Sequence, residues 1–390
     1  MRNLNKRILR GLKAQWSKNL FLFILLFFMI SSTSGMLVSS GSIKTLYYEL
    51  MSTGVVEDGK ILFAFDPTEE ILKSIEKTNV KVEKAPYVDA KINKIKDDKD
   101  EKTIRLYTNR KNINVPVINE GNLAKNKNEI AINRLFAENN NLKIGDTIKF
   151  KKEFFKDNKE RIFKIVGFIV TPDYNSSFQK STDLIFNAID FGVGLVSDED
   201  KDIFNESKLK YQVSYRFNDR NLSEKETKEK NKEVVNSANI SKTVLEQLPK
   251  KDNNAISYLI DDMGGDRPMV IVLLCLMVTL IGFIFALSIV SKIQEESEII
   301  GILLANGYKK SELVINYIAN SLIITFLAAV LGNIFGYTVF TNSFKSVYYK
   351  SFNMQNFTPS FNFEALIITT IIPISIILIF NYIYIYRKLN

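Results

Sequence analysis

The chain has 390 residues, a formal net charge of +9, one cysteine and no histidine. The missing histidine excludes Ser-His-Asp triads, imidazole proton transfer and histidine metal sites, and a lone cysteine excludes an internal disulfide or thiolate zinc cluster. Residues 41–266 hold 38 basic and 38 acidic residues, so the positive excess lies beside four apolar runs; it reports membrane topology rather than nucleic-acid binding.

In chain order, residues 1–19 form a basic tail carrying Arg2, Lys6, Arg7, Arg10, Lys13 and Lys18. Residues 20–40 are long and apolar enough for a first transmembrane helix. A basic tail, an apolar core and "SSTSG" also fit a cleavable secretory signal, although the A-x-A cleavage pattern is missing. Helix-compatible sequence continues over 41–59.

Residues 41–266 read as a large α+β domain with stalk-like ends, because its strands and helices lack βαβ regularity. Strands are expected at "KILFAF" (60–65), "TIRLYT" (103–108), "NINVPVIN" (112–119), "RIFKIVGFIV" (161–170) and "YQVSYRF" (211–217). "PTEEILKSIEKTN" reads as a helix with Ile71, Leu72 and Ile75 inward. "NEIAINRLFAENNNLKIGDTIKF" reads as strand, short helix, turn, strand. Charged helices are expected at 223–236 and 241–248, and "DDKDEK" (97–102) as a charged loop. Asp261 and Asp262 lack EF-hand spacing. "DDMGGDRPM" reads as a flexible joint, with Asp266 as N-cap and Pro268 in the first turn of the next span.

Residues 267–290, 314–340 and 365–386 supply three further spans, making a membrane protein of one plus three transmembrane helices. Cys275 is a small apolar residue in the second span. Ala328, Gly332 and Gly336 share one face of the third and are helix-packing candidates, against a neighbouring span or a partner subunit. Asn320 and Asn333 on the same span should face protein rather than lipid. Pro373 should bend the fourth span, and Tyr382, Tyr384, Tyr386 and Arg387 should anchor it at an interface. The near-absence of ionisable residues in the spans argues against an ion-coupled transporter. Charge placement puts both termini (1–19 and 387–390) in the cytoplasm. It puts 41–266 outside, 291–313 inside and 341–364 in an outer loop.

The segment 291–313, "SKIQEESEIIGILLANGYKKSEL", is too charged for a span and too long for a minimal turn. Ile299, Ile300, Leu303 and Leu304 give it the pattern of an amphipathic helix, and Gly307 offers a C-cap. It reads either as an interfacial anchor or as a docking surface for a cytoplasmic partner. It is not a P-loop: the spacing is wrong and Tyr308 stands where Lys is required. No cofactor, catalytic or metal residue is assigned, and any ATP is bound by another chain.

"EIIGILLANGYKKSEL" resembles the signature of FtsX-like permeases, the membrane subunits of type VII ABC transporters. The matching residues are Glu298, Ile300, Gly301, Leu303, Ala305, Gly307, Lys309 and Glu312; Leu304 stands where the family commonly has Arg. "GNIFGYT" (332–338) resembles the family's third span. The stretch "NEIAINRLFAENNNLKIGDTIKF" with "FKIVGFIV" resembles a MacB-like extracytoplasmic core. The chain is similar to one four-span half of the larger permeases of low-GC Gram-positive bacteria, either as a half-permease or as part of a longer protein. The resemblance implies mechanotransmission. A cytoplasmic ABC ATPase would engage the eight signature residues, a second permease copy or half-permease would complete the complex, and the outer domain would move without catalysis in this chain. The tasks implied are lipid or lipoprotein handling, peptide or antibiotic export, or control of a wall enzyme. The other reading is a membrane-anchored receptor or scaffold whose outer domain binds a ligand without an ATPase.

Overall fold

Residues 2–94 and 101–389 are described in a computed structural model of the chain. Positions 97–100 of the expected charged loop, and the terminal residues Met1 and Asn390, lie outside the described residues. Helices α1 (Arg2–Ala14) and α2 (Trp16–Thr53) come first. They are followed by β1 (Gly59–Phe63), α3 (Glu69–Glu76), β2 (Val80–Lys84), β3 (Tyr87–Lys94), β4 (Thr103–Thr108), β5 (Val117–Gly121) and β6 (Glu129–Asn133). Next are α4 (Arg134–Asn139), β7 (Thr147–Phe150), β8 (Arg161–Val170), β9 (Phe191–Val196), β10 (Tyr211–Phe217), α5 (Glu224–Ala238) and β11 (Val244–Pro249). Helices α6 (Asn254–Glu295), α7 (Ser297–Ala305), α8 (Lys310–Phe335), α9 (Thr341–Ser351) and α10 (Phe363–Leu389) complete the described chain.

These elements form two compact units. A helical unit comprises residues 1–43, 263–346 and 358–390, and a sheet unit comprises 44–262 and 347–357. Among the described residues, four helices are long and apolar enough to cross a membrane: Trp16–Thr53, Asn254–Glu295, Lys310–Ser351 and Phe363–Lys388. In the helical unit the buried stripes recur at helical spacing. Leu22, Leu26 and Ile30 of α2 meet Leu274, Val278, Ile281 and Phe285 of α6, Ile324 and Ala328 of α8, and Ile377 of α10.

The helices overrun the expected spans 20–40, 267–290, 314–340 and 365–386. The joint expected at 261–269 is helix, with Pro268 inside α6. Helix α6 starts earlier, where the Asn253 side chain accepts from the Ala255 amide at 3.2 Å. Its buried stripe of Ile256, Leu259, Met263 and Val270 then continues past Gly264 and Gly265. That packing offsets a proline whose intrinsic cost within a helix is about 3 kcal/mol. Asp266 is therefore not an N-cap. After Phe335 the chain makes one wider turn, Gly336–Phe340, with π-type bonding, and stays helical to Ser351.

In the sheet unit, one antiparallel sheet has the order β11-β1-β10-β2. Helices α3 and α5 cover it, with Leu72, Ile75, Val234 and Ala238 packed on Ile61, Phe63, Val213 and Tyr215. The second sheet, β5-β8-β6-β9-β4-β3-β7, closes into a barrel because β7 also pairs with β8. Its core includes Ile104, Ile130, Phe136, Phe150 and Phe163. Parallel and antiparallel pairings mix, β4 with β9 and β6 with β8 being parallel. Residues 244–249 are strand rather than the expected helix, because their backbone completes the free edge of β1. Residues 112–115 are not strand: Asn114 has φ +53° and turns the chain.

The outer loop expected over 341–364 is also corrected. Its first part is α9, and residues 347–357 belong to the sheet unit. Arg134, 1% exposed, donates to the Tyr349 and Phe352 carbonyls at 2.9 and 2.8 Å and to the Met354 carbonyl at 3.2 Å. Its guanidinium lies 3.7 Å from the Tyr349 ring centroid. One cation thus satisfies carbonyls that the end of α9 leaves without helical partners.

Candidate coupling site

The expected amphipathic stretch 291–313 is divided between three helices. Residues 291–295 complete α6 and residues 310–313 start α8, which leaves α7 and its turn as the separate piece. The break falls at Glu296, with φ −98° and ψ 15°. Its carboxylate is held by an ion pair with Arg7 and by the Tyr317 hydroxyl at 2.6 Å. Arg7 also donates to that hydroxyl at 3.2 Å. Helices α1 and α8 are therefore tied to the point where α6 ends. Arg7 entered the sequence reasoning only as a topology charge; nothing local marks its pairing with Glu296.

Helix α7 ends as its sequence requires. Gly307 has φ +88°, its amide donates to the Leu304 carbonyl at 3.0 Å, and the Tyr308 amide reaches Leu303 at 3.2 Å. These two bonds make a Schellman cap. The next helix starts at once, with the Lys309 amide donating to the Glu312 carboxylate at 3.0 Å. Gly307, Lys309 and Glu312 therefore have local structural work, whatever else they touch.

The apolar side chains of α7 divide between covered and exposed positions. Ile300 is buried, with Leu303 and Tyr308 half-buried, against Ile293, Leu313, Val314, Tyr317 and Ile385. Ile299, Ile302 and Leu304 are exposed, at 50%, 62% and 37%. Of the four residues that give the stretch its amphipathic pattern, Ile300 and Leu303 at the middle of the arc face the helical unit, and Ile299 and Leu304 at its edges are left exposed. Glu298, Gly301 and Ala305 are exposed. Among the described residues outside its own turn of helix, nothing lies within 4 Å of a Cβ built on Gly301. The surface is thus apolar, with two small residues four apart.

In the helical unit, Ala328, Gly332 and Gly336 line the approach of α8 to α2. A Cβ on Gly332 would stand 2.8 Å from Ile30 Cγ2, and one on Gly336 2.7 Å from Ser34 Cβ. Beside them Asn333 accepts from the Ser34 and Thr369 hydroxyls at 2.9 and 2.7 Å and donates to the Ala329 carbonyl at 2.8 Å. Helices α2, α8 and α10 therefore share one buried polar junction. Asn320 is half-buried, and its Oδ1 has no partner. Among the described residues no acidic, cysteine or histidine cluster could hold a metal ion.

The sheet unit concentrates buried charge. Arg110 pairs with Asp173 through two bonds, at 2.5 and 3.1 Å, with both side chains almost inaccessible. Glu57 is fully buried and accepts from Ser214 Oγ at 2.6 Å and Asn114 Nδ2 at 2.7 Å, while its other oxygen is unpaired. Burial pushes the Glu57 carboxyl above the usual range, against the pull of Lys60 and its two hydrogen bonds. Burial would also raise Asp89, but the bidentate Arg105 guanidinium and Lys210 hold it below the usual range.

No curated protein matches the chain. Residues 271–390, running from within α6 through α7, α8, α9 and α10, match the family model described as FtsX-like permease C-terminal. That family supports an ABC-transporter permease type of role and normally works with a cytoplasmic ABC ATPase. The four long apolar helices fit a membrane protein, and residues 271–390 are similar to the FtsX-like permease C-terminal family.

Proposed function

We propose that this chain is the membrane subunit of an ABC complex that passes the work of a separate ATPase to its sheet unit. The observation that carries the reading is the exposed apolar surface of α7, inside the segment that matches the permease model. Isoleucine and leucine side chains beside Gly301 and Ala305 suit a groove on a partner, because small residues allow backbone approach and the apolar ones supply burial. The adjoining Glu296–Arg7–Tyr317 cluster offers a route from α7 to α1 and α8. On this reading both termini and α7 are cytoplasmic, and the sheet unit is extracytoplasmic. A second permease copy or half-permease completes the complex, and ATP binds only to the partner ATPase. Lipid or lipoprotein handling, peptide or antibiotic export and wall-enzyme control are the tasks consistent with it.

The test is purification of the intact chain from its native membranes, followed by identification of co-purifying proteins and ATP hydrolysis. A stoichiometric P-loop ATPase is the expected result. A stable complex lacking any ATPase would favour the receptor or scaffold reading.

A further inference from the structure

Within the sheet unit, a cavity of about 260 Å³ lies between the β11-β1-β10-β2 sheet and the barrel. Ligand pockets commonly measure about 300–1,000 Å³, so this one suits a single ring with one polar group. Its aromatic walls are Tyr87, Tyr174 and Phe178, and its cationic groups include Lys60 and Arg105.

The charges are arranged unequally. Arg105 is fixed by Asp89, by the Tyr174 hydroxyl at 2.6 Å and by the Gln179 carbonyl at 2.9 Å, and lies 4.2 Å from the Tyr87 ring centroid. Lys210 shares Asp89 at 3.2 Å. Lys60 is different: it stands 5.3 Å from the Tyr174 ring centroid, and the buried carboxylates of Glu57 and Asp173 attract its ammonium from beyond ion-pair distance, so that it has no hydrogen-bond or ion-pair partner among the described residues. The acidic wall residue, Glu246, already accepts from Ser181 Oγ at 2.7 Å. The first turn of α6 closes the cavity with Asn253, Asn254 and Ala255. A helix start of this kind favours negative charge. Asn253 is 3% exposed and its Nδ2 donates to nothing. Positive charge and unused donors thus converge on a cavity with ring-lined walls, and the tyrosine faces already have lysine and arginine partners.

We propose that this cavity binds a small organic anion, a carboxylate or phosphate monoester carrying one aromatic or apolar group. The anion pairs with Lys60, beside Arg105 and the start of α6, and its apolar group lies against Phe178 and Leu62 on the cavity wall. The proposal stands independently of ATPase coupling.

The experiment uses the intact chain in lipid nanodiscs, titrated with phenyl phosphate, inorganic phosphate, benzyl alcohol and benzylamine, with saturation-transfer NMR as readout. Phenyl phosphate should saturate and outcompete the other three. Lys60→Gln should weaken it about ten-fold or more, the effect of one lost charge-assisted hydrogen bond, while Lys60→Arg should retain it. Ser181→Trp, on the exposed loop at the cavity wall, should block it with the thermal midpoint unchanged; this variant keeps the test open if Lys60→Gln fails to fold. Benzyl alcohol, benzylamine or inorganic phosphate binding as tightly as phenyl phosphate would overturn the proposal. So would wild-type affinity in Lys60→Gln or Ser181→Trp, or no saturable binding of any probe.

Discussion

Single residues in this chain carry loads that neither composition nor spacing announces. Arg134 gathers carbonyls from residues 215–220 positions away, and Glu57 is buried with one oxygen unpaired. Glu57 gives a pH prediction. Its folded carboxyl titrates above the usual range, so the favourable contribution is full below the unfolded value and is lost as pH rises through the folded one. Glu57→Gln keeps an oxygen for Ser214 and Asn114 and removes the charge. Hydrogen exchange in β10, corrected for intrinsic rate, should quicken in the wild type as pH rises beyond the ordinary carboxylate range, and should stay flat in the variant. Equal slopes in both proteins would remove Glu57 as the cause. Breaking the neighbouring Arg110–Asp173 pair should cost more, about 3–5 kcal/mol, because it strands one buried charge.

At the level of elements, close packing of α8 on α2 depends on residues with no side chain to spare. Gly332→Leu should cost about 1–3 kcal/mol through overpacking, since even a Cβ there meets Ile30. A lower thermal midpoint of the detergent-solubilised protein, with no loss from Leu331→Ala on the exposed side, is the expected result. An unchanged midpoint in Gly332→Leu would show that α8 does not pack there. The small-residue spacing was legible because helix geometry alone places 328, 332 and 336 on one face. Strands β1, β4, β8 and β10 were legible for a similar reason, and so was the Gly307 cap. The failures have a common cause. Residues 244–249 became strand, 261–269 stayed helical and 341–351 became α9 because distant partners supply what the local sequence lacks: the edge of β1, a buried stripe on α6 and the Arg134 guanidinium. The strands β2, β3 and β9 were missed because their polarity or glycine content hides the alternation that marks a strand. On α7, spacing identified the apolar residues but not which of them the helical unit would cover.

For the whole molecule, the proposed reading puts the sheet unit and α7 on opposite sides of the membrane. In a Cys275→Ser background, a cysteine at Leu184, which is 92% exposed, should react with an impermeant thiol reagent in whole cells. One at Lys309, also exposed, should react only after lysis. Asn140 is a poor probe because it is buried and bonded to the Phe136 and Ile189 carbonyls. The reverse labelling pattern would overturn the assignment from charge placement.

The most direct test of the coupling claim is Gly301→Trp. Among the described residues outside its own turn of helix, nothing lies within 4 Å of a Cβ at this exposed position, so the side chain starts into open space and a partner seated there would meet the ring. Membrane insertion, ATPase co-purification and ATP hydrolysis should be measured on one preparation, with Ile302→Glu as a second disruption of the same surface. The account predicts normal insertion with co-purification or stimulated hydrolysis lost in both variants. Wild-type co-purification and hydrolysis in both would contradict it, and would make α7 an interfacial anchor.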